Sequence, residues 1–226
     1  MGLTRRCIRI IFGAVIALFT AVLVGNQAWP QSQDWEVEAQ KKVDALIEKN
    51  GPGTDLNLQK RLLQMMEEDQ AIRHKLFDAP ADKQGEIVQA LEEGDRERTA
   101  ELKEIIQKHG WPTIQLVGIK ASQAAAGIFN HSPDHEFQGK MLPQLTRMVE
   151  QEEIVGSDLG HIIDKVLLSE GRPQLFGTVF RFEGEFLIME PVQDPEHLDQ
   201  RRAKYLLPPM NIYIRDLETM YHKKLK

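Results

Sequence analysis

Gln174 to Glu190 reads QLFGTVFRFEGEFLIME, and it decides the fold because its pattern is β while the rest of the chain reads as helix. The runs LFGTVFRF and EFLIME are rich in aromatic and branched apolar residues. Glu183-Gly184 between them is a two-residue hairpin turn in which Gly supplies the unusual backbone angles. On both sides, apolar residues recur at helical spacing instead. The expectation is a mainly α protein, a helical domain with one C-terminal β-hairpin near 174–190, preceded by an N-terminal signal peptide or membrane anchor.

Before the hairpin, Asp34 to about Asn50 carries spaced apolar residues in a charged helix that Gly51-Pro52-Gly53 stops. Leu58, Leu62, Met65, Ile72 and Leu76 then mark one helical face. Ile87, Val88 and Leu91 predict a short helix ended by Gly94. Asp95 would cap the next helix, which Gly110 stops before the Trp111-Pro112-Thr113 corner. Ala121, Ala124, Ala125 and Gly127 give a helix with a small-residue side, and the line continues to Ile128 and an inward-facing His131. Ser132-Pro133 predicts the start of a further helix, with a kink or boundary at Pro143. Ser157 or Asp158 would cap the helix that Gly171 ends. Beyond the hairpin, Asp194-Pro195 opens a helix with Arg201 and Arg202, and Pro208-Pro209 precedes a last helix.

The N-terminus carries an export address. Arg5, Arg6 and Arg9 precede sixteen uncharged residues, 10–25, and then a polar exit, NQAWPQSQD. The apolar run is slightly long for a cleaved signal and slightly short for a membrane span of about 20 residues, so both readings stay open. Either places the body outside the cytoplasm, periplasmic, secreted or tethered to the inner membrane by residues 10–25. The division expected is 1–30 signal peptide or anchor, 31–57 charged helical spacer and linker, and 58–226 helical domain. Beyond residue 30 the chain holds 25 basic against 34 acidic residues, net −9, which argues against nucleic acid as a partner. Cys7 is the single cysteine, so an intramolecular disulfide and a cysteine zinc site are excluded.

No phosphate loop, dinucleotide fingerprint, HExxH or GxSxG is present, and no cofactor is implied. Asp69 falls on an apolar helical stripe, where a carboxylate needs a partner, and Arg73 one turn later can reach it. His131, Asp134 and His135 form a weak metal-ligand set, because the intervening helix start aims them apart.

The ordered short motifs add a resemblance. DQxxR at Asp69 to Arg73, GWPT at Gly110 to Thr113, Val117-Gly118, the Ala-rich helix into His131, Phe137-Gln138, Asp164, GRPQ and FGT from Gly171 to Thr178, and DxRR at Asp199 to Arg202 together resemble a bacterial family catalogued as domain of unknown function 6624. The resemblance implies no reaction or cofactor. Its recurring polar positions map to Asp69, Gln70, Arg73, His131, Asp164, Gln174 and Thr178. The chain departs from the family pattern at Asn130, Lys165, Phe176 and Val179. Function is expected to be that of a binding or interaction module of the cell envelope, with an unknown small molecule or envelope protein as partner and membrane contact only through the N-terminal segment. Two alternatives stand beside it. One is an envelope hydrolase whose polar pocket unites Asp69, Arg73, His131 and Asp164; the other is a purely structural partner.

Overall fold

The computed structural model describes residues 30–80 and 82–226, with side chains described from Trp35 onward except at 77 and 81. The segment expected to be a signal peptide or anchor lies, up to residue 29, outside them. Among the described residues no helix is long and apolar enough to cross a membrane. The described residues form eight α-helices and three short strands, in order: α1 Pro30–Asn50, α2 Leu56–Asp78, α3 Gln84–His109, α4 Ile114–His131, α5 His135–Glu150, α6 Ser157–Ser169, β1 Phe180–Glu183, β2 Phe186–Met189, α7 Leu198–Lys204, α8 Met210–Tyr221 and β3 Lys224–Leu225.

Helix α4 is the centre of the domain. Its small-residue side is buried at Ala121, Ala124 and Ala125, Met66 of α2 takes the space that a Cβ on Gly127 would need, and Val117, Ile128 and Phe129 join the same core. Leu62, Met65, Leu102, Leu145, Leu159 and Ile162 complete one continuous core, each fully buried. Trp111, Phe129 and Phe137 meet edge to face, with ring centroids 5.3 and 5.1 Å apart. A smaller cluster of Leu46, Ile114 and Val155 attaches the C-terminal end of α1.

Several local expectations are corrected. The region 84–109 is one helix, without a stop at Gly94 or a cap at Asp95. A Cβ on Gly94 would lie 2.8 Å from Arg98 Nη1, so this glycine leaves room for the Arg98 side chain to fold back along its own helix. Asp134, rather than Ser132, caps α5, accepting from Phe137 N at 2.9 Å. Helix α5 then runs through Pro143 without a boundary. Helix α6 starts at Ser157 after Gly156, with no side-chain cap.

The hairpin forms in antiparallel register, Phe180 opposite Met189 and Glu183 opposite Phe186. Glu183 is therefore the last paired residue, and the turn is Gly184-Glu185, one residue later than expected. Gly184 takes φ +60° at its first position. A third strand unforeseen in the pattern, β3, adds in parallel to β2 and closes a small sheet in the order β1-β2-β3.

Candidate functional site

Asp69 is fully buried on the inner face of α2. Arg73, one turn on, grips it through two bonds, Nε to Oδ2 at 3.0 Å and Nη2 to Oδ1 at 3.1 Å. Arg98 of α3 reaches the same carboxylate at 3.3 Å, and Gln70 Nε2 donates to Oδ2 at 2.9 Å. Asp95 completes the network, accepting from Arg73 and Arg98 at 2.8 Å each. The position read as a helix cap is thus the second carboxylate of a buried ionic cluster.

His131, at the C-terminal end of α4, enters from the other side. Its Nδ1 lies 2.9 Å from Asp69 Oδ2, but off the line that a ring N–H needs, so the contact is close and electrostatic without being a formed hydrogen bond. Burial is the largest influence on Asp69 and opposes its charge. The His131 imidazole and the Arg73 guanidinium together outweigh it and hold the carboxyl well below the usual range.

Helix α6 supplies the fourth wall. Lys165 Nζ donates to the Asn130 carbonyl at 2.9 Å. Burial, then the neighbouring Arg73 charge, pushes its ammonium down to about 8. His161, one turn before it, is tied to the Thr178 backbone; burial and then the charges of Lys165 and His131 press its imidazole down to about 3. The ring is neutral at ordinary pH.

The remaining predicted residues go elsewhere. Asp164 is fully buried, yet its oxygens are engaged by the loop before β1: they accept from Leu175 N (2.7 Å), Phe176 N (2.9 Å), Thr178 N (2.9 Å) and Thr178 Oγ1 (2.8 Å). Burial raises its carboxyl despite those bonds. Gln174 clamps the base of the hairpin, donating to Glu190 O and Val179 O and accepting from Val179 N. Arg202, fully buried, donates to the carbonyls of Phe176 and Pro208 and lies over the Tyr213 ring. Arg201 donates to the Leu175 carbonyl, and Asp199 accepts from Met210 N at the start of α8. The motifs from Asp164 to Arg202 therefore knit the C-terminal loops together.

Nor do His131, Asp134 and His135 converge. Asp134 caps α5 and takes Lys103 at 2.5 Å, while exposed His135 pairs through Nδ1 with Gln138 at 3.0 Å. Among the described residues no group of three or more His, Cys, Asp or Glu side chains is placed to hold a metal. Two surface grooves, of 350 and 460 Å³, lie along α5–α6 and beside Trp111; neither includes a predicted site residue.

Asp69, Gln70, Arg73 and His131 are thus brought together, and the side chains of Asp164, Gln174 and Thr178 are engaged elsewhere, although the Thr178 backbone meets His161. Sequence reasoning did not place Asp95, Arg98, His161 and Lys165 in the site. The available signals were the i,i+3 pair Asp95 and Arg98 and the i,i+4 pair His161 and Lys165, each a polar pair on a helix otherwise apolar inward.

The fold and the cluster define a mainly helical domain built around a buried ionic network and closed by a small C-terminal sheet. The chain belongs to the family of unknown function DUF6624, which matches residues 56–226. No curated protein and no solved structure matches it significantly.

Proposed function

We propose that the protein is an exported binding module of the bacterial envelope, and that the cluster around Asp69 and His131 is its ligand site. Export rests on the basic and then apolar N-terminal segment, followed by an acidic body. One observation carries the site. Of the seven buried side-chain nitrogen and oxygen atoms without a hydrogen bond among the described residues, five belong to Arg98, Asn130, His131 and His161. Buried polar atoms left unpaired cost about 1–3 kcal/mol each, so folded proteins rarely gather them without a use. Arg98 and His131 both lie against Asp69, and on this reading the unpaired atoms of the four residues supply the directional contacts that a polar ligand needs.

The test is a small-molecule screen by thermal shift on the full chain, with His131→Gln as the comparison. A compound that raises the melting point of the unsubstituted protein and not of the variant supports the reading. A screen in which every hit acts equally on both removes it. Fusion of alkaline phosphatase after residue 30, active only outside the cytoplasm, tests the address.

The hydrolase reading is second. Its support is the Asp69 carboxylate held against one side of His131 while Nε2 is unpartnered, the disposition of an imidazole able to take a proton from water. Asp164 is no member of that arrangement, since the loop at 175–178 engages it. Turnover of ester, amide and phosphoester substrates that His131→Gln abolishes would promote this reading.

A further inference from the structure

A second place in the fold joins an open space to a buried donor without a partner. Trp111 is 2% exposed, and its indole Nε1–H makes no hydrogen bond among the described residues. Buried tryptophan N–H groups are usually partnered, and the indole can only donate, so this one calls for an acceptor. The Phe129 ring meets the indole at 81°, with centroids 5.3 Å apart, and holds it in place. Trp111 lines the 460 Å³ groove where the end of α3, the 110–113 corner and the start of α4 meet α5.

The wall of this groove is polar but holds no permanent charge. No Asp, Glu, Lys or Arg lines it; its polar groups are the hydroxyls of Thr54 and Thr113, the amides of Gln115 and Gln144, and the His109 imidazole. Thr113 Oγ1 accepts from Leu116 N at 3.3 Å, which leaves its hydrogen to donate. Among the described residues the Gln115 and Gln144 amides and the Thr54 hydroxyl make no hydrogen bond. His109 Nδ1 lies 4.0 Å from Asp55 Oδ2, beyond hydrogen-bond reach. Leu116 and Met148 add apolar surface.

These groups select a ligand class. An ion entering the groove would give up hydration with no opposite charge to replace it. A purely apolar molecule would leave the Trp111 donor unpaired. Amides and hydroxyls both donate and accept, and the ligand groups that match them at several points are hydroxyls, which do the same. A hydroxyl or ring oxygen supplies the acceptor that the indole lacks, while the C–H face of a sugar ring suits Leu116 and Met148. The volume falls within the range of about 300–1,000 Å³ usual for small-molecule sites.

We propose that the Trp111 groove binds a neutral saccharide unit, with Trp111 Nε1 donating to one of its oxygens and Gln115, Gln144 and the two threonines meeting its hydroxyls. Gln115 and Gln144 are exposed, and rotation of their side chains opens the way to the shielded N–H. The site is separate from the Asp69 cluster, because the helix from Gly118 to His131 is about 20 Å long. Neither reading depends on the other.

The test is an NMR titration of the ¹⁵N-labelled full chain, in detergent, with glucose, N-acetylglucosamine, cellobiose and diacetylchitobiose, and with gluconate and glucosamine as charged comparators. Trp111→Phe identifies the Trp111 indole signal among those of the three tryptophans. At least one neutral sugar is expected to shift that signal saturably, and the charged comparators to bind at least about tenfold more weakly. Gln115→Ala and Gln144→Ala, both on the exposed rim, should each weaken binding about threefold to tenfold, the loss of one net hydrogen bond. No saturable shift with any of the four neutral sugars overturns the proposal. Equal binding of gluconate or glucosamine does so too, as does an affinity unchanged in both glutamine variants. A sugar whose binding His131→Gln abolishes acts at the Asp69 cluster, which supports the reading of that cluster and overturns this one.

Discussion

Two buried aspartates show how one residue type serves two purposes. Asp69 is surrounded by side-chain cations and an imidazole, partners that keep it charged and could turn toward a ligand. Asp164 is surrounded by backbone N–H groups, which cannot leave without the chain unfolding locally. Asp164→Asn should therefore be a stability variant. Its amide would present N–H to N–H at one of the two oxygens and release the 175–178 loop, lowering unfolding free energy by about 2–4 kcal/mol in urea denaturation. Ligand binding at the Asp69 cluster should survive in the fraction that remains folded.

His161 makes a prediction about pH. Burial first, then Lys165 and His131, hold its imidazole down to about 3, while in the unfolded chain it titrates near the ordinary 6.5. Between those values the unfolded state binds a proton that the native state refuses, so stability falls as pH drops from about 6.5 toward 3. His161→Gln removes that difference. The melting point of the variant, followed from pH 7 to pH 4, should decline less steeply than that of the unsubstituted protein. Parallel curves would mean that this ring does not sit in the environment described.

At the scale of elements, the contact between the Gly51–Gly53 loop and α4 depends on absent side chains. Gly118 bends α4 with φ 74°, and a Cβ there would lie 2.6 Å from the Pro52 carbonyl oxygen. A Cβ on Gly53 would lie 2.5 Å from Gly118 N. Thr54 N and Asp55 N donate to Leu116 O, and Gln59 Nε2 donates to Pro52 O and Val117 O across the same contact. Gly118→Ala combines a positive-φ penalty with a backbone clash and should cost about 2–4 kcal/mol or abolish soluble expression. Gly139→Ala, in α5 with open space around the new methyl, should be neutral or stabilising by up to about 1 kcal/mol. Chemical denaturation of the pair separates the effect of the bend from that of glycine removal in general.

The same scale explains what was legible in the sequence. Periodicity locates helices because an apolar stripe must face the core, and it placed the stripe of α2 and the small side of α4. It misreads Gly94 as a stop because the space beside that glycine serves Arg98, a requirement of one side chain that no spacing rule contains. Pro143 fails as a boundary because α5 simply does without one donor in an otherwise packed helix. The hairpin was legible and its turn was misplaced by one residue, since EGE offers glycine at either turn position. The strand β3 is two residues long and carries no pattern at all. Within the site, Asp69 with Arg73 was legible as an i,i+4 pair, and His131 as the end of a stripe. The convergence of α2, α3, α4 and α6 is a property of packing, so Asp95, Arg98, His161 and Lys165 could be read only once those helices were in place.

For the whole molecule, the family match begins at residue 56, and the helix before it looks like an appendage. From Trp35 to Lys42 its side chains are largely exposed. Its last turns dock through a few residues: Leu46 is buried against Ile114 and Val155, Lys49 bonds Glu152 at 2.7 Å, and Asn50 Nδ2 donates to Glu152 O at 3.0 Å. These contacts close over the start of α4 and the 151–155 loop, the two segments that position α4 against α6. Burial of one leucine contributes about 1.5–3 kcal/mol, and an exposed ion pair about 1 kcal/mol or less. Removing residues 1–50 should therefore leave a cooperative fold, because the main core lies within 56–226, but one less stable by about 2–3 kcal/mol in denaturant. Leu46→Ala in the full chain should reproduce most of that loss, whereas Val37→Ala, on the exposed half, should not. If deletion and Leu46→Ala both leave the midpoint unchanged, α1 is a tether that rests on the domain without supporting it. If the loss appears in both, the segment from Pro30 to the family region is part of the fold, and α4 with His131 at its far end is held from both sides.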